Sequence, residues 1–248
     1  MRGRSRLPSW VCALLLCGLG ALVCLPGSAQ EVCAVPGTVT PSPPRPVDHA
    51  NPNAPTDYMA LVLSWSPEHC ESQRNKTGAA KERHAFQCFS GNRFEWVVHG
   101  LWPQNGKARS VDDHPRNCQP TPTALPTPLV RQYLCMMPGT DLMQNEWQAH
   151  GTCGWASADR YCADIQRVYG SLQRPTTAQM LPNGASAGPN QLRDIRLADV
   201  KQAFGLNRKL WAGNLRLNVG NLRYYFKGNF YLMISPDRSS ARDVEDTY

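Results

Sequence analysis

Two short stretches of this 248-residue chain carry side chains able to move protons. The first is Phe94-Glu-Trp-Val-Val98, which runs straight into His99-Gly-Leu-Trp102-Pro103. A histidine at the exit of a buried strand, fixed by the adjacent Gly and Pro, is positioned by the sheet but faces a loop. The second is Glu146-Trp-Gln-Ala-His150-Gly-Thr-Cys153. Residues four apart on a helix share a face, so Glu146 and His150 point the same way. A carboxylate beside an imidazole is expected to favour the charged ring and raise the pKa of His150, which suits proton transfer under mildly acidic conditions. Each segment also has a plainer reading: a strand-end histidine is often structural, and Glu146 with His150 could be a surface ion pair. Together they supply an acid, a base and a charged support.

The elements that must hold these groups can be read from the pattern. Tyr58 to Trp65 is an apolar run of strand length, followed by Pro67 and Cys70. Phe94 to Val98 is a second strand candidate. A helix is expected from near Asp141 to Gly151, with Thr140 or Asp141 as cap and Gly151 as the residue past the end. Cys162 to Leu172 carries Ile165, Val168 and Tyr169 at helical spacing. After Pro175 comes a polar loop with Asn183-Gly184 and Gly188-Pro189. Leu192, Ile195, Val200 and Phe204 outline another helix closed by Gly205, and a last strand pair is expected through Arg216 to Tyr225 and Phe230 to Ile234. Strands separated by helices indicate a single α+β domain.

Composition narrows the setting. The chain is 42% hydrophobic and 18% charged, with ten cysteines and a formal charge of +7, which excludes a wholly disordered protein. Val11 to Leu25 is an uninterrupted apolar stretch, too short to span a bilayer in the ordinary way. It follows Arg2, Arg4 and Arg6 and ends in Pro26-Gly-Ser-Ala29, the pattern of a secretory signal cleaved after Ala29. The reading is therefore a signal peptide at 1–29, a Pro-rich tether at 30–56, a folded domain at 57–236 and a polar, frayed tail at 237–248. The tether assignment rests on seven prolines between Pro36 and Pro55. Removing residues 1–29 takes three arginines and no acid, so the charge falls to +4. An exported chain, periplasmic or extracellular, with no stable membrane association after signal removal, is expected. Seven cysteines remain. Cys33, ahead of the proline-rich stretch that begins at Pro36, is the natural odd one out, and the other six can pair in fifteen ways.

Acid–base groups in an exported chain with a basic excess point to cleavage of a phosphodiester. RNA carries its own nucleophile, the 2′-OH. An enzyme then needs a base to remove that proton, an acid to protonate the departing 5′-oxygen, and a stabiliser for the charged pentacoordinate phosphorus. The reaction requires no metal and no cofactor. DNA lacks the 2′-OH and should survive.

His99-Gly-Leu-Trp-Pro103 and Glu146-Trp-x-x-His-Gly-Thr-Cys153 closely resemble the two active-site segments of the secreted ribonuclease T2 family, in the same order and at a similar spacing. The resemblance covers roughly Tyr58 to Pro236. It implies a disulfide-stabilised α+β domain with a central, mostly antiparallel sheet flanked by helices, acting as a monomer on single-stranded RNA. It also implies His150 as general base, His99 as general acid, and Glu146 as the residue that orients or polarises the phosphate and supports His150. Trp102 would stack a substrate base, Trp147 is read as core, and the products would be 2′,3′-cyclic phosphates. The family's cross-link implies Cys118–Cys153; Cys70–Cys88 is taken as a second pair, leaving Cys135 with Cys162.

The departures from the family pattern bear on rate. Asn145 stands where the family commonly has His, able to donate a hydrogen bond to phosphate but uncharged. Ala149 stands where it usually has Lys, removing a cation from beside the phosphorus. Arg160 or Arg167 is the expected substitute, and restoring the charge with Ala149→Lys is expected to raise turnover. The alternative is a catalytically impaired member that binds RNA or another partner without efficient cleavage. A zinc hydrolase fits poorly, because Asn145 occupies the place of a ligand in H-E-x-x-H and exported Cys153 and Cys162 are expected to be bridged. His49, His69, His84 and His114 are read as solvated surface.

Overall fold

Large and β-branched apolar residues from Tyr58 to Trp65 form a strand, β1 (Tyr58–Trp65), in which every residue is buried. The computed structural model describes residues 31–180, 197–204, 229–234 and 241–242. After β1 come α1 (Ser66–Gln73), α2 (Gly78–Glu82), α3 (Ala85–Cys88), β2 (Trp96–Gln104), α4 (Thr127–Tyr133), α5 (Thr140–Ala149) and α6 (Ala158–Gly170). They are followed by α7 (Thr177–Met180), α8 (Leu197–Ala203), β3 (Asn229–Ile234) and β4 (Ala241–Arg242). Among the described residues the strands make one antiparallel sheet in the order β2-β1-β3-β4. This is the α+β class read from the sequence.

The inner position of β1 explains its continuous burial: β2 lies on one side and β3 on the other. Successive strand residues face opposite ways. Met59, Leu61, Leu63 and Trp65 therefore share one core with Leu129 and Val130 of α4, Met143 and Trp147 of α5, and Tyr161, Ile165 and Val168 of α6. On the other face Tyr58 and Ala60 pack with Trp102. The α6 stripe has helical spacing, and Ser157 caps that helix by accepting from the Arg160 N–H. Full burial of a side chain such as Leu61 or Leu63 stabilises by about 1.5–3 kcal/mol. The helices are thus fastened to the strands that carry the site.

Several expectations need correction. Helix α5 is preceded by Gly139 as its cap and ends at Ala149; His150 has left helical geometry, and Gly151–Cys153 forms a separate 3-10 turn. Residues 31–56 are not a loose tether in the structure. Val32 bridges Arg93, Asn51 bridges Arg116, and Val39 is buried in the main core. Prolines prevent this arm from forming a helix, yet its remaining polar groups still find partners on the domain. Ser42 hydrogen-bonds Thr140 at 2.8 Å, and the Arg45 backbone exchanges two hydrogen bonds with the Gln148 side chain.

The arm also changes the disulfides. The structure joins Cys70 to Cys88 and Cys118 to Cys153, but Cys135 pairs with Cys33 and leaves Cys162 as a buried thiol. The expected Cys135–Cys162 bond does not form, because Cys162 lies inward on α6 while the docked arm brings Cys33 to Cys135. Of the tail, Ala241 and Arg242 pair with Ile234 and Met233 instead of fraying. The expected signal at 1–29, the loop at 183–189 and the strand candidate at 216–225 lie outside the described residues.

Candidate active site

A break in the sheet's register places the first histidine. Leu63 pairs with Val98, but the next residue back, Val62, pairs with Gly100. His99 is therefore the extra residue of a β-bulge, which re-aims a side chain at a defined point in a strand. The alternation shows the same step: Val98 and Leu101, three apart, both enter the main core. His99 thus lies inside β2, not at its exit. The outer edge of β2 is held as well. Val98 N–H donates to the Met136 carbonyl at 2.9 Å, Leu101 N–H to the Tyr161 hydroxyl at 3.2 Å, and the Tyr169 hydroxyl donates to the Trp96 carbonyl at 2.5 Å.

Helix α5 delivers the other two groups. Glu146 is 2% exposed, and the His150 N–H closes the last helical hydrogen bond onto the Glu146 carbonyl at 3.0 Å. Two glycines make the approach possible. A Cβ at Gly100 would overlap the Glu146 carboxylate and lie 2.6 Å from Trp102 Nε1. One at Gly151 would overlap the Trp147 ring, which packs in the core as expected.

The carboxylate sits between the two imidazoles. Glu146 Oε1 is 3.2 Å from His99 Nε2, and Oε2 accepts the Trp102 indole N–H at 2.6 Å. His150 Nε2 lies 4.0 Å from Oε2. Burial alone would raise the Glu146 carboxyl, but the facing charges and hydrogen bonds of His99, His150 and Trp102 outweigh it and hold the group below its ordinary range. An ionised carboxylate only accepts hydrogen bonds, so the His99 nitrogen facing it carries a proton.

His150 differs from the expectation. Burial pushes its pKa down to about 4, despite the opposing pull of Glu146, with Arg116, His99 and His114 adding to the fall. Helical spacing revealed the carboxylate but not the desolvation. The site therefore holds His99 with its Nε2–H donated to the Glu146 carboxylate, and beside it a His150 imidazole that burial keeps unprotonated.

The structure also supplies a residue that the sequence reading missed. Arg116 Nη1 lies 3.5 Å from His150 Nε2. Arg160 and Arg167, the expected substitutes for a missing cation, are exposed on α6, and Arg167 pairs with Asp164 at 3.4 Å. Ala149 is buried with its carbonyl taken by the Asn117 N–H at 2.9 Å. A lysine there would overpack a filled position, so the expected gain from Ala149→Lys is withdrawn. Asn145 is half-buried on α5 and hydrogen-bonds to none of His99, Glu146 and His150. Trp102 is not an open stacking surface on both sides, because His150 covers one face of its ring.

Other sequence readings change in this neighbourhood. His69 and His84 are not solvated surface: their rings hydrogen-bond at 3.2 Å, and burial, with the charges of His84 and His99, pushes His69 down to about 4. The partly buried His114 accepts the Asn105 N–H at 3.1 Å. Among the described residues no cluster of three or more His, Cys, Asp or Glu could hold a metal ion, and Cys153 is bonded to Cys118.

Comparison with known proteins places this geometry in context. The model of the ribonuclease T2 family matches residues 56–207. A probable ribonuclease of Haemophilus influenzae is 47% identical over 131 residues, covering 52% of this chain and 48% of that protein. A ribonuclease of Aeromonas hydrophila is 30% identical over 162 residues, covering 62% of this chain and 66% of that protein. The aligned part thus spans about half of the first relative and just under two thirds of the second. Among solved structures, RNase NT in complex with 5′-AMP aligns over 77% of this chain and 91% of its own, with a TM-score of 0.51 and 17% identity. An RNase-related protein from Calystegia sepium covers 78% and 92%, with a TM-score of 0.54 and 13% identity. These two likenesses speak to the fold.

Proposed function

The chain belongs to the ribonuclease T2 family, and from that premise we propose that it is an exported endoribonuclease cleaving single-stranded RNA through 2′,3′-cyclic phosphates. The observation that carries this reading is the buried Glu146 carboxylate standing between His99, whose Nε2 faces it, and His150, which burial keeps unprotonated.

In the proposed reaction His150 Nε2 removes the proton of the 2′-OH. The 2′-oxygen attacks phosphorus, His99 as an imidazolium gives its Nδ1 proton to the departing 5′-oxygen while its Nε2–H stays on Glu146, and that P–O bond breaks. One proton enters the protein at His150 and one leaves from His99, so the step balances without a further reactant. Water then opens the cyclic phosphate slowly, with the two roles reversed. Glu146 holds both rings in register and keeps the charged state of the site favourable. The face of Trp102 turned away from His150 is left for a base, a stacking contact worth about 1–3 kcal/mol.

Export rests on the leader pattern at residues 1–29. No helix of the described residues is long and apolar enough to cross a membrane.

The test uses oxidised protein from Gln30 onward, a short single-stranded RNA with chelator present, and mass analysis of the fragment ends. Cyclic phosphate ends are expected, and His99→Ala and His150→Ala should each abolish them. The matching DNA should remain intact. No cleavage from pH 4 to 8 would instead favour an RNA-binding member without catalysis.

A further inference from the structure

We propose that Arg116 is the cation that holds the reacting phosphate beside His150, and that Asp48 of the N-terminal arm is the positioning residue that aims it. This rests on the ribonuclease reading and supplies a positive charge for the phosphate, which neither the buried Glu146 carboxylate nor the uncharged Asn145 provides.

The guanidinium is fixed from one side and open on the other. Arg116 Nε and Nη2 donate to the Asp48 carboxylate at 3.3 and 2.9 Å, a fork-on-fork geometry. That leaves Nη1 directed at His150 Nε2, the atom that would take the 2′-OH proton. A guanidinium has five N–H donors. Asp48 takes two of Arg116's and His150 can take a third, so two have no partner among the described residues. The Asp48 side chain is 65% exposed and that of Arg116 28%, so water screens the carboxylate more than the cation.

The backbone around Arg116 is built to hold this position. Arg116 bridges Asn51 of the arm. Asn117 takes up left-handed geometry at φ 48°, which Asn tolerates better than most residues. Its side chain donates to Asp48 Oδ1 at 2.9 Å and to the His49 carbonyl at 2.5 Å. Its backbone N–H donates to the Ala149 carbonyl, one residue before His150. Cys118 N–H donates to Thr152 Oγ1 at 3.1 Å, and Cys118 is bonded to Cys153. The arm, the 116–118 segment and the end of α5 thus meet at one point. The charge of Asp48 survives at that point, because the Arg116 hydrogen bonds hold its carboxyl down at about 2.

The test compares wild type with Arg116→Ala, Arg116→Lys and Asp48→Asn on the same short RNA. Losing one preorganised electrostatic stabiliser should lower kcat by about a hundred- to a thousandfold in Arg116→Ala. Arg116→Lys should recover part of the loss, and added guanidinium chloride should rescue Arg116→Ala in a saturable way, beyond the effect of equal sodium chloride. Asp48→Asn keeps the cation but loses its anchor; its kcat should fall by up to about a hundredfold with KM less affected. Circular dichroism of each variant identifies failure to fold, and guanidinium rescue would not repair a purely structural defect. Folded Arg116→Ala with wild-type kcat would overturn the proposal while leaving the ribonuclease reading intact. Wild type that does not cleave RNA would remove that reading, and this one with it.

Discussion

The Trp102 indole lies over the His150 imidazole, ring centroids 4.7 Å apart and planes inclined by 20°. Its N–H meanwhile reaches Glu146 Oε2 at 2.6 Å, and its edge approaches the His99 ring. One aromatic side chain therefore touches all three of the groups that the proposed reaction uses. Trp102→Phe keeps a ring over His150 and removes the donor to Glu146. A hydrogen bond to an ionised group contributes about 1.5–3 kcal/mol, so kcat/KM should fall by roughly ten- to a hundredfold. Steady-state kinetics on a short RNA would check this, and an unchanged rate would show that Glu146 is held without the indole.

Acid should weaken the fold through His150. The unfolded chain binds this proton near the ordinary value of 6.5, whereas the buried ring accepts it only at about 4. Between those values the unfolded state holds more protons, so stability falls as pH drops through the window and the loss is complete below about 4. For His150 the full loss is about 3 kcal/mol, and His69 shifts in the same direction. Urea unfolding at pH 7, 5.5 and 4 would measure the slope. His150→Gln should flatten it, and equal slopes would argue against the buried neutral ring.

Gly100 has no room for a side chain. A Cβ there would overlap the Glu146 carboxylate and crowd Trp102. Gly100→Ala should cost about 1–3 kcal/mol of stability through overpacking and reduce cleavage strongly. Thermal melting and turnover, measured side by side, would separate the two effects. A stable, fully active variant would mean that Glu146 has another acceptable position.

Peptide mapping of the oxidised protein should recover Cys33 with Cys135, and Cys162 should react with an alkylating reagent only after unfolding. Burial pushes the Cys162 thiol up to about 12, which leaves little reactive thiolate at neutral pH. The Cys33–Cys135 link closes 102 residues. By chain entropy a loop near that length stabilises by about 4–5 kcal/mol, so the Cys33→Ser, Cys135→Ser pair should melt well below wild type. Recovery of a peptide linking Cys135 to Cys162 would contradict the arrangement.

Local pattern made part of this molecule legible. The apolar run of β1 and the i,i+4 spacing of Glu146 and His150 are properties of neighbouring residues; β1 has the expected form, and α5, though it ends before His150, still brings that ring within 4.0 Å of Glu146. The bulge at His99 depends on β1 as a partner, although the broken alternation between Val98 and Leu101, with Gly100 inside it, was an available signal. Arg116 was hidden for a different reason: Asp48 lies 68 residues before it, and nothing local to Arg116 indicates His150. The proline-rich composition of 31–56 described what the arm cannot form, while its docking uses backbone bridges and polar side chains that have no periodicity. The direction of the His150 shift required knowing its burial, which spacing does not reveal.

The hydroxyls of Tyr161 and Tyr169 and the carbonyl of Met136 occupy backbone positions along the outer side of β2. An unpaired strand edge is a template on which another chain can add itself. Here the template is already filled, by side chains from α6 and by a loop. A second copy cannot extend the sheet past Trp96, Val98 or Leu101 without first displacing them. The contacts that steady the bulge thus also guard against edge-to-edge aggregation at β2.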